Sequence, residues 1–217
     1  MSTSVRERAT QLLTVHFSVP YTLPMQTAEI EVKFAVADVH SFLATVHSLG
    51  LRMLTERTFE ANTLYDTPDR TLRNKRQVLR IREYAGRGIV THKRVPPGAD
   101  DSRYKTRIET ETVVEDGAAL AEIFVQLGYQ PMFRYEKFRT EWDGNGGHLL
   151  LDETPIGNFA ELEGPPEWID SMRERLGVAV ADCTTLSYGM LFLDWKARTN
   201  SPAEHLTFEE IPAAVTA

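Results

Sequence analysis

The stretch Glu29-Ile30-Glu31-Val32-Lys33-Phe34 alternates charged and apolar residues with a period of two. Successive side chains of a β-strand point to opposite faces, so the stretch predicts a strand with Glu29, Glu31 and Lys33 on one face. The three apolar residues between them share the other face, which has to pack against a core. The charged face has two interpretations: a solvated sheet surface, or a site for a metal ion and phosphate.

The composition suits one globular domain, because 217 residues with 42% hydrophobic content are enough for a sizeable core. No apolar run of about 18 residues is present and the N-terminus lacks the layout of a secretory signal, so we expect a cytoplasmic protein without a membrane partner. The single cysteine, Cys183, has no partner for an internal disulfide or a Cys-x-x-Cys site. The net charge of -7 argues against a nucleic-acid partner.

The same alternation predicts further strands, at residues 59–65, 78–84, 89–95, 102–114, 133–142, 148–154 and 159–163. Helical spacing predicts four helices. One begins after Asp38, and the others lie at residues 117–128, 165–177 and 186–196. In the second of these, the stripe expected to be buried is Leu120, Ile123, Phe124 and Leu127. Short turns such as Gly86-Arg87-Gly88 join neighbouring strands, so the pattern indicates an α+β chain dominated by antiparallel strands.

The domain organisation follows from where these elements lie. Residues 1–27 are interpreted as an N-terminal arm, because Pro20 and Pro24 interrupt regular structure there. Residues 28–197 form the single predicted domain. The tail at residues 198–217, which contains Pro202 and Pro212, is expected to be flexible.

The charged faces of the predicted strands consist almost only of carboxylates, guanidinium groups and ammonium groups, whereas a solvated face normally mixes in neutral polar residues. The acids are Glu29, Glu31, Glu109, Glu111, Asp152, Glu161 and Glu163, and the bases are Lys33, Arg80, Arg82, Lys93, Arg107, Lys137 and Arg139. Carboxylates are ligands that Mg²⁺ or Mn²⁺ prefers, and arginine and lysine suit phosphate. If the sheet closes with these faces inside, metal and polyphosphate together would balance both sets.

In their order along the chain, these residues resemble the motifs of the CYTH superfamily, the triphosphate tunnel metalloenzymes. This family includes thiamine triphosphatases, inorganic triphosphatases and class IV adenylate cyclases. Its motifs are matched by Glu29-x-Glu31-x-Lys33, by Tyr65-Asp66-Thr67-Pro68, by Leu79-Arg80-Ile81-Arg82, by Lys93, by Glu109 and Glu111, by Lys137 and Arg139, by Asp152, and by residues 157–163 with the pattern Gly-x-Phe-x-Glu-x-Glu. The resemblance covers residues 28–196.

The resemblance implies a closed eight-stranded antiparallel β tunnel with helices packed outside and the charged faces inside. It implies a metal-dependent hydrolase in which water attacks the terminal phosphoryl group of inorganic tripolyphosphate or of an organic triphosphate such as thiamine triphosphate. One alternative is a class IV adenylate cyclase that makes cyclic AMP and pyrophosphate from ATP. A second alternative is a non-catalytic polyphosphate-binding module.

The resemblance also assigns roles to the two sets of residues. The acids would hold Mg²⁺ or Mn²⁺, and the bases other than Lys33 would bind the triphosphate. Lys33 would be catalytic, through activation of the attacking water or through charge neutralisation. The expected partner is a small-molecule triphosphate, and both a monomer and a homodimer stay open.

Overall fold

A computed structural model describes residues 27–99 and 103–212. The strands are β1 Thr27–Val36, β2 Arg52–Asp66, β3 Gln77–Tyr84, β4 Arg87–Arg94, β5 Lys105–Val114, β6 Gln130–Asp143, β7 His148–Thr154, β8 Gly157–Glu163 and β9 Cys183–Thr184. The helices are α1 Val39–Ser48, α2 Thr71–Asn74, α3 Gly117–Gln126, α4 Pro166–Arg175 and α5 Tyr188–Thr199, and a 3₁₀ helix lies at Val180–Asp182. In this part of the chain no helix is long and apolar enough to cross a membrane. Apart from Thr27, the predicted N-terminal arm lies outside the described residues, as does residue 102.

Strands β1 to β8 close into an antiparallel barrel. Their order is β5-β4-β3-β2-β6-β7-β8-β1, and β1 pairs back to β5. The closure is made by β1, because Glu29 lies opposite Arg107 of β5 while Glu31 lies opposite Glu163 of β8. The short β9 adds to β1 at Phe34, beyond the point where β5 begins. The predicted closed eight-stranded α+β barrel is confirmed.

The main apolar core lies outside the barrel wall, beneath α1 and α4. Val32 and Phe34 of β1 are buried there, together with Leu149, Leu162 and Ile169. Because successive residues of a strand point to opposite faces, packing the apolar face of β1 outward turns its charged face toward the barrel interior. The first motif of the sequence is thereby placed inside.

One end of the barrel is closed by α5 and residues 200–212. Leu206 is fully buried, in a cluster with Tyr188 and Phe192 of α5 and Tyr135 of β6. The backbone N–H of Leu206 donates to the carbonyl of Arg134 at 3.0 Å, and the carbonyl of Leu206 accepts from the backbone N–H of Glu136 at 2.8 Å. The flexible tail expected from residue 198 is therefore wrong for residues 198–212, because this segment buries apolar side chains and pairs with β6. Residues 213–217 lie outside the described part.

Two elements differ from their sequence predictions. β2 begins at Arg52 rather than near Phe59, because it pairs with β6 along its whole length, with register shifts where its alternation breaks. In α3, Ile123 is 53% exposed and Leu127 is 68% exposed, so only part of the predicted stripe faces the barrel. The part that does so includes Phe124, whose ring lies against that of Tyr65 on β2.

Candidate active site

The barrel register brings the predicted acids and bases together along the inner wall, although the side chain of Glu111 is 39% exposed. Pairs that lie side by side on neighbouring strands include Glu29 and Arg107, Lys33 and Glu161, Lys93 and Glu109, and Arg139 and Asp152. Acids and bases are not mixed evenly, however. Three carboxylates gather around β1 and β8, whereas the arginines and lysines of β3 and β6 gather on the other side.

The acidic cluster consists of Glu29, Glu31 and Glu163. Each offers one carboxylate oxygen, and these oxygens lie within 4.8 Å of one another. Lys105 binds Glu31 at 2.6 Å and Lys93 binds Glu29 at 2.9 Å. Burial, together with the negative charges of Glu29 and Glu161, nevertheless raises the pKa of Glu163 well above its usual range. Glu163 therefore keeps its proton more readily than an ordinary carboxyl group, and the three hard oxygen donors of the cluster fit a divalent cation.

Glu109 lies beside this cluster and shares Lys93 with Glu29. Lys93 contacts both carboxylates. Burial and a hydrogen bond with Glu29 raise the pKa of Glu109 to about 8. Burial alone would raise the pKa of Glu29 as well, but the charge of Lys93 holds it well below its usual range. At neutral pH the two carboxylates therefore share one proton.

Asp152 organises the basic side of the interior. This carboxylate is fully buried and accepts from Lys137 Nζ at 2.8 Å, from Arg139 at 2.7 Å and 2.6 Å, and from the Tyr188 hydroxyl at 2.6 Å. Charge-assisted hydrogen bonds of this kind hold both partners in fixed positions. Although the sequence groups Asp152 with the metal ligands, both of its oxygens are engaged by these donors.

Lys33 and Glu161 connect the two sides. Lys33 is 2% exposed, forms an ion pair with Glu161, lies 4.0 Å from Glu31 and sits over the ring of Tyr188. Burial alone would lower the pKa of Lys33, but the charges of Glu161 and Glu31 outweigh it and raise that pKa above its ordinary value. Glu161 also binds Arg139, at 2.8 Å. Lys33 is consequently an ammonium ion in this arrangement.

The arginines of β3 are held by polar groups of β4, β5 and β6. Arg80 donates to the Tyr135 hydroxyl and to Thr91 Oγ1, each at 3.1 Å. Arg82 donates to Glu111 Oε2 at 2.8 Å. The Nε atoms of both arginines are buried without a hydrogen-bond partner in the described residues. Donors left open in this way suit an additional acceptor, such as a phosphate oxygen.

Several residues of the interior were missed as site residues. Glu60 and Asn62 of β2 are 0% and 2% exposed and face Lys137 and Arg82. The alternation of β2 already placed these two on one face, so that signal was available. Lys105 lies on a charged face of β5 that the sequence also showed. Tyr188 had no signal, because its position depends on how α5 enters the end of the barrel.

The Tyr-Asp-Thr-Pro motif has a structural role in the described chain. Asp66 is 7% exposed, and its carboxylate accepts from the backbone N–H groups of Thr67 at 2.8 Å and of Leu72 and Arg73 at 2.9 Å. These bonds satisfy the first N–H groups of α2 and fix the basic turn that connects β2 to β3. Burial alone would raise the pKa of Asp66, but the three bonds outweigh it and lower that pKa.

Replacing Asp66 by Asn should lower the free energy of unfolding at pH 7 by about 1–2 kcal/mol, the usual size for a charged capping group. Because the folded-state pKa is lowered, the wild type's advantage is fully present above the unfolded pKa of about 3.9 and is lost as the pH falls through the folded value. Urea unfolding of both proteins across this range measures the gap. A gap that stays constant down to about pH 3 would contradict this assignment.

Known proteins share this arrangement of the fold. Adenylate cyclase CyaB of Aeromonas hydrophila is 27% identical over 174 residues, which is 75% of this chain and 87% of the relative. A solved structure from Vibrio parahaemolyticus, whose name suggests an adenylate cyclase, has a TM-score of 0.67 and 24% identity, and the match covers 78% of this chain and 99% of that one. HpAC1 of Hippeastrum, described as having a dominant triphosphatase activity, has a TM-score of 0.55 and 17% identity. The match covers 78% of this chain and 96% of HpAC1.

A family model also matches the whole barrel. The model is that of the CYTH domain, and the match runs over residues 27–172, from the start of β1 into α4. It therefore includes all the strands that form the barrel and all the charged residues discussed above. The chain belongs to the CYTH domain family.

Proposed function

We propose that this chain is a divalent-metal-dependent hydrolase that cleaves a phosphoanhydride bond of a triphosphate inside the barrel. One observation carries the proposal: the carboxylate cluster of Glu29, Glu31 and Glu163 lies in the same closed interior as the cations of β3 and β6. Hydrolysis of a triphosphate needs groups that hold the phosphate chain and groups that hold a metal ion. The inner wall supplies both sets.

The metal site in this proposal is the acidic cluster. Glu29, Glu31 and Glu163 would hold the ion, with Glu109 beside them, and their oxygen donors suit Mg²⁺ and Mn²⁺ alike. When bound, a divalent ion supplies Lewis acidity and neutralises negative charge on phosphate oxygens. Glu111, Asp152 and Glu161 lie outside the group of carboxylates whose oxygens come within 4.8 Å of one another. They accept from arginine or lysine side chains, and we assign them to positioning those cations.

The phosphate site in this proposal comprises the cations that the sequence predicts as triphosphate ligands, which are Arg80, Arg82, Lys93, Arg107, Lys137 and Arg139. Pre-positioned cations in a water-poor interior stabilise the charge that spreads over a transferred phosphoryl group. Lys33 is assigned to charge neutralisation beside the metal carboxylates. Its raised pKa supports this role over that of a proton acceptor, which would require a lowered pKa.

Adenylate cyclase activity is the second candidate, favoured by the names of CyaB and of the Vibrio protein. In a cyclase the 3′ hydroxyl of ATP attacks the α-phosphorus and pyrophosphate leaves. The same cations and metal ligands can serve that reaction. The two reactions differ in which phosphorus atom faces the nucleophile. A third candidate is a module that binds polyphosphate without turnover.

A substrate panel separates the candidates. Purified protein is incubated with tripolyphosphate, thiamine triphosphate or ATP, each with Mg²⁺ or Mn²⁺, and phosphate, pyrophosphate and cyclic AMP are measured together. Metal-dependent phosphate release is the expected result. Cyclic AMP as the main product from ATP would replace the proposal by the cyclase. Tight binding of tripolyphosphate without any product would replace it by the binding module.

A further inference from the structure

Glu60 of β2 is a carboxylate among the cations of the basic side. Its side chain is 0% exposed, and it lies opposite Lys137 of β6. Lys137 Nζ is 3.6 Å from its Oε1, and Arg82 Nη1 is 3.6 Å from its Oε2. Burial alone would raise the pKa of Glu60, but Lys137, Arg139, Arg82 and Arg80 together hold it well below the usual range. Glu60 is therefore negatively charged at neutral pH.

Glu60 is bound less completely than the other fully buried acid of the interior. Its Oε1 accepts from Asn62 Nδ2 at 2.9 Å, while its Oε2 has no hydrogen-bond donor among the described residues. Asp152, in contrast, accepts direct hydrogen bonds from Lys137, Arg139 and Tyr188. Because buried polar atoms are normally hydrogen-bonded, the unpaired Oε2 of Glu60 is unusual.

We propose that Glu60 is an internal counter-ion that competes with phosphate for the cations of β3 and β6, and so weakens the binding of the triphosphate and of its anionic products. This inference rests on the proposed function, because it takes these cations to be the phosphate ligands. In the free protein Glu60 offsets positive charges that would otherwise be buried unbalanced. When a phosphate group reaches Arg82 and Lys137, the carboxylate and the phosphate repel each other, which favours release.

The variant Glu60→Gln isolates this effect. Glutamine keeps the shape of the side chain and can still accept from Asn62, but it carries no charge. A unit charge at about 5 Å, in a medium with an effective dielectric constant of about 25 to 50, corresponds to roughly a 10- to 100-fold change in affinity for the triphosphate. We therefore expect tripolyphosphate to bind about 10- to 100-fold more tightly to the variant. In turnover, KM falls and inhibition by pyrophosphate becomes stronger, while kcat stays equal or falls because product leaves more slowly.

The decisive measurement is calorimetric titration of the metal-free full chain with tripolyphosphate, at one fixed ionic strength. Glu56→Gln is the matched control, since it removes the same charge from an exposed position of the same strand. Asn62→Asp adds a carboxylate to the inward face of β2 and should weaken binding. The double variant Glu60→Gln with Asn62→Asp should return the affinity toward that of the wild type. Thermal unfolding checks that each variant is folded.

The outcomes separate this inference from the proposed function. If Glu60→Gln is folded and binds tripolyphosphate no more tightly than the wild type and Glu56→Gln, the role of Glu60 as a competitor is rejected. If Glu60→Gln does not fold, Asn62→Asp decides, and unchanged affinity in that variant rejects the inference. A wild-type protein that binds no tripolyphosphate, either metal-free or with Mg²⁺ or Mn²⁺ added, rejects the proposed function itself and the inference with it.

Discussion

The Glu31→Gln variant is expected to lose at least about 100-fold in metal-dependent turnover. Losing a residue that only supports a metal ligand already costs up to about 100-fold, and Glu31 is proposed as a ligand itself. Glu31 is central to the acidic cluster, because it lies opposite Glu163 across β1 and β8 and shares a strand face with Glu29. Glutamine preserves its shape and can still accept from Lys105, but a neutral amide oxygen binds a hard divalent cation much more weakly than a carboxylate does. Initial rates at increasing Mg²⁺ or Mn²⁺, together with calorimetric Mn²⁺ titration, measure the loss.

The control for this experiment is Glu83→Gln, which removes the same charge from an exposed position of β3. It should keep the turnover and the metal requirement of the wild type. Turnover in Glu31→Gln at the wild-type rate, with an unchanged metal concentration for half-maximal activity, would rule out Glu31 as a metal ligand. A rate that recovers fully at high metal concentration would place the whole defect in metal affinity.

The Asp152→Asn variant is expected to lose about 3–5 kcal/mol of unfolding free energy, the usual size when one partner of a buried ion pair is removed. Asp152 is fully buried and offsets both Lys137 and Arg139. Asparagine leaves these two cations in the interior without that charge, and it accepts fewer of their hydrogen bonds. Urea unfolding at pH 7 measures the loss, which is a large share of the stability of an ordinary domain.

Asp170→Asn is the matched control, since Asp170 forms an exposed ion pair with Arg103 and exposed pairs contribute little. A loss in Asp152→Asn no larger than in this control would mean that the interior cations do not depend on Asp152. Added tripolyphosphate should restore more stability to Asp152→Asn than to the wild type, because the unbalanced cations then bind a phosphate more strongly.

Much of the barrel was predictable because strand alternation is a local property. The alternation of Glu29 to Phe34 fixes which side chains share a face, and the same holds for the strands that carry Arg80, Lys137 and Glu161. Closure of the sheet came from the family resemblance rather than from periodicity. Alternation alone does not decide whether a charged face points to solvent or to an interior.

The contacts inside the barrel could not be predicted from the sequence, because they depend on the register between strands that are far apart in the chain. Nothing local shows that Asp152 is taken by Lys137, Arg139 and Tyr188, while Glu163 stays with Glu29 and Glu31. The same acid type therefore has two different surroundings. Glu60 was missed because its strand mixes neutral and charged residues on the inward face, and so differs from the fully charged strands.

The two remaining errors concern elements that pack on the outside or the end of the barrel. The segment around Leu206 has no helical or strand periodicity, so its burial follows only from the space that α5 and β6 leave for it. The spacing in α3 predicted a buried stripe, but helix periodicity does not say how wide a surface the barrel offers. Ile123 and Leu127 lie beyond the contact that the barrel makes.

Tyr188, Phe192 and Leu206 pack together over one end of the barrel, so the proposed triphosphate would use the other end. With a single opening, a linear anion would enter and leave by the same route, and a second molecule could enter only after the first had left. A chain longer than the interior keeps its remainder in solvent. Turnover by the proposed hydrolase would then be limited by how long the product stays bound rather than by how often substrate meets the protein.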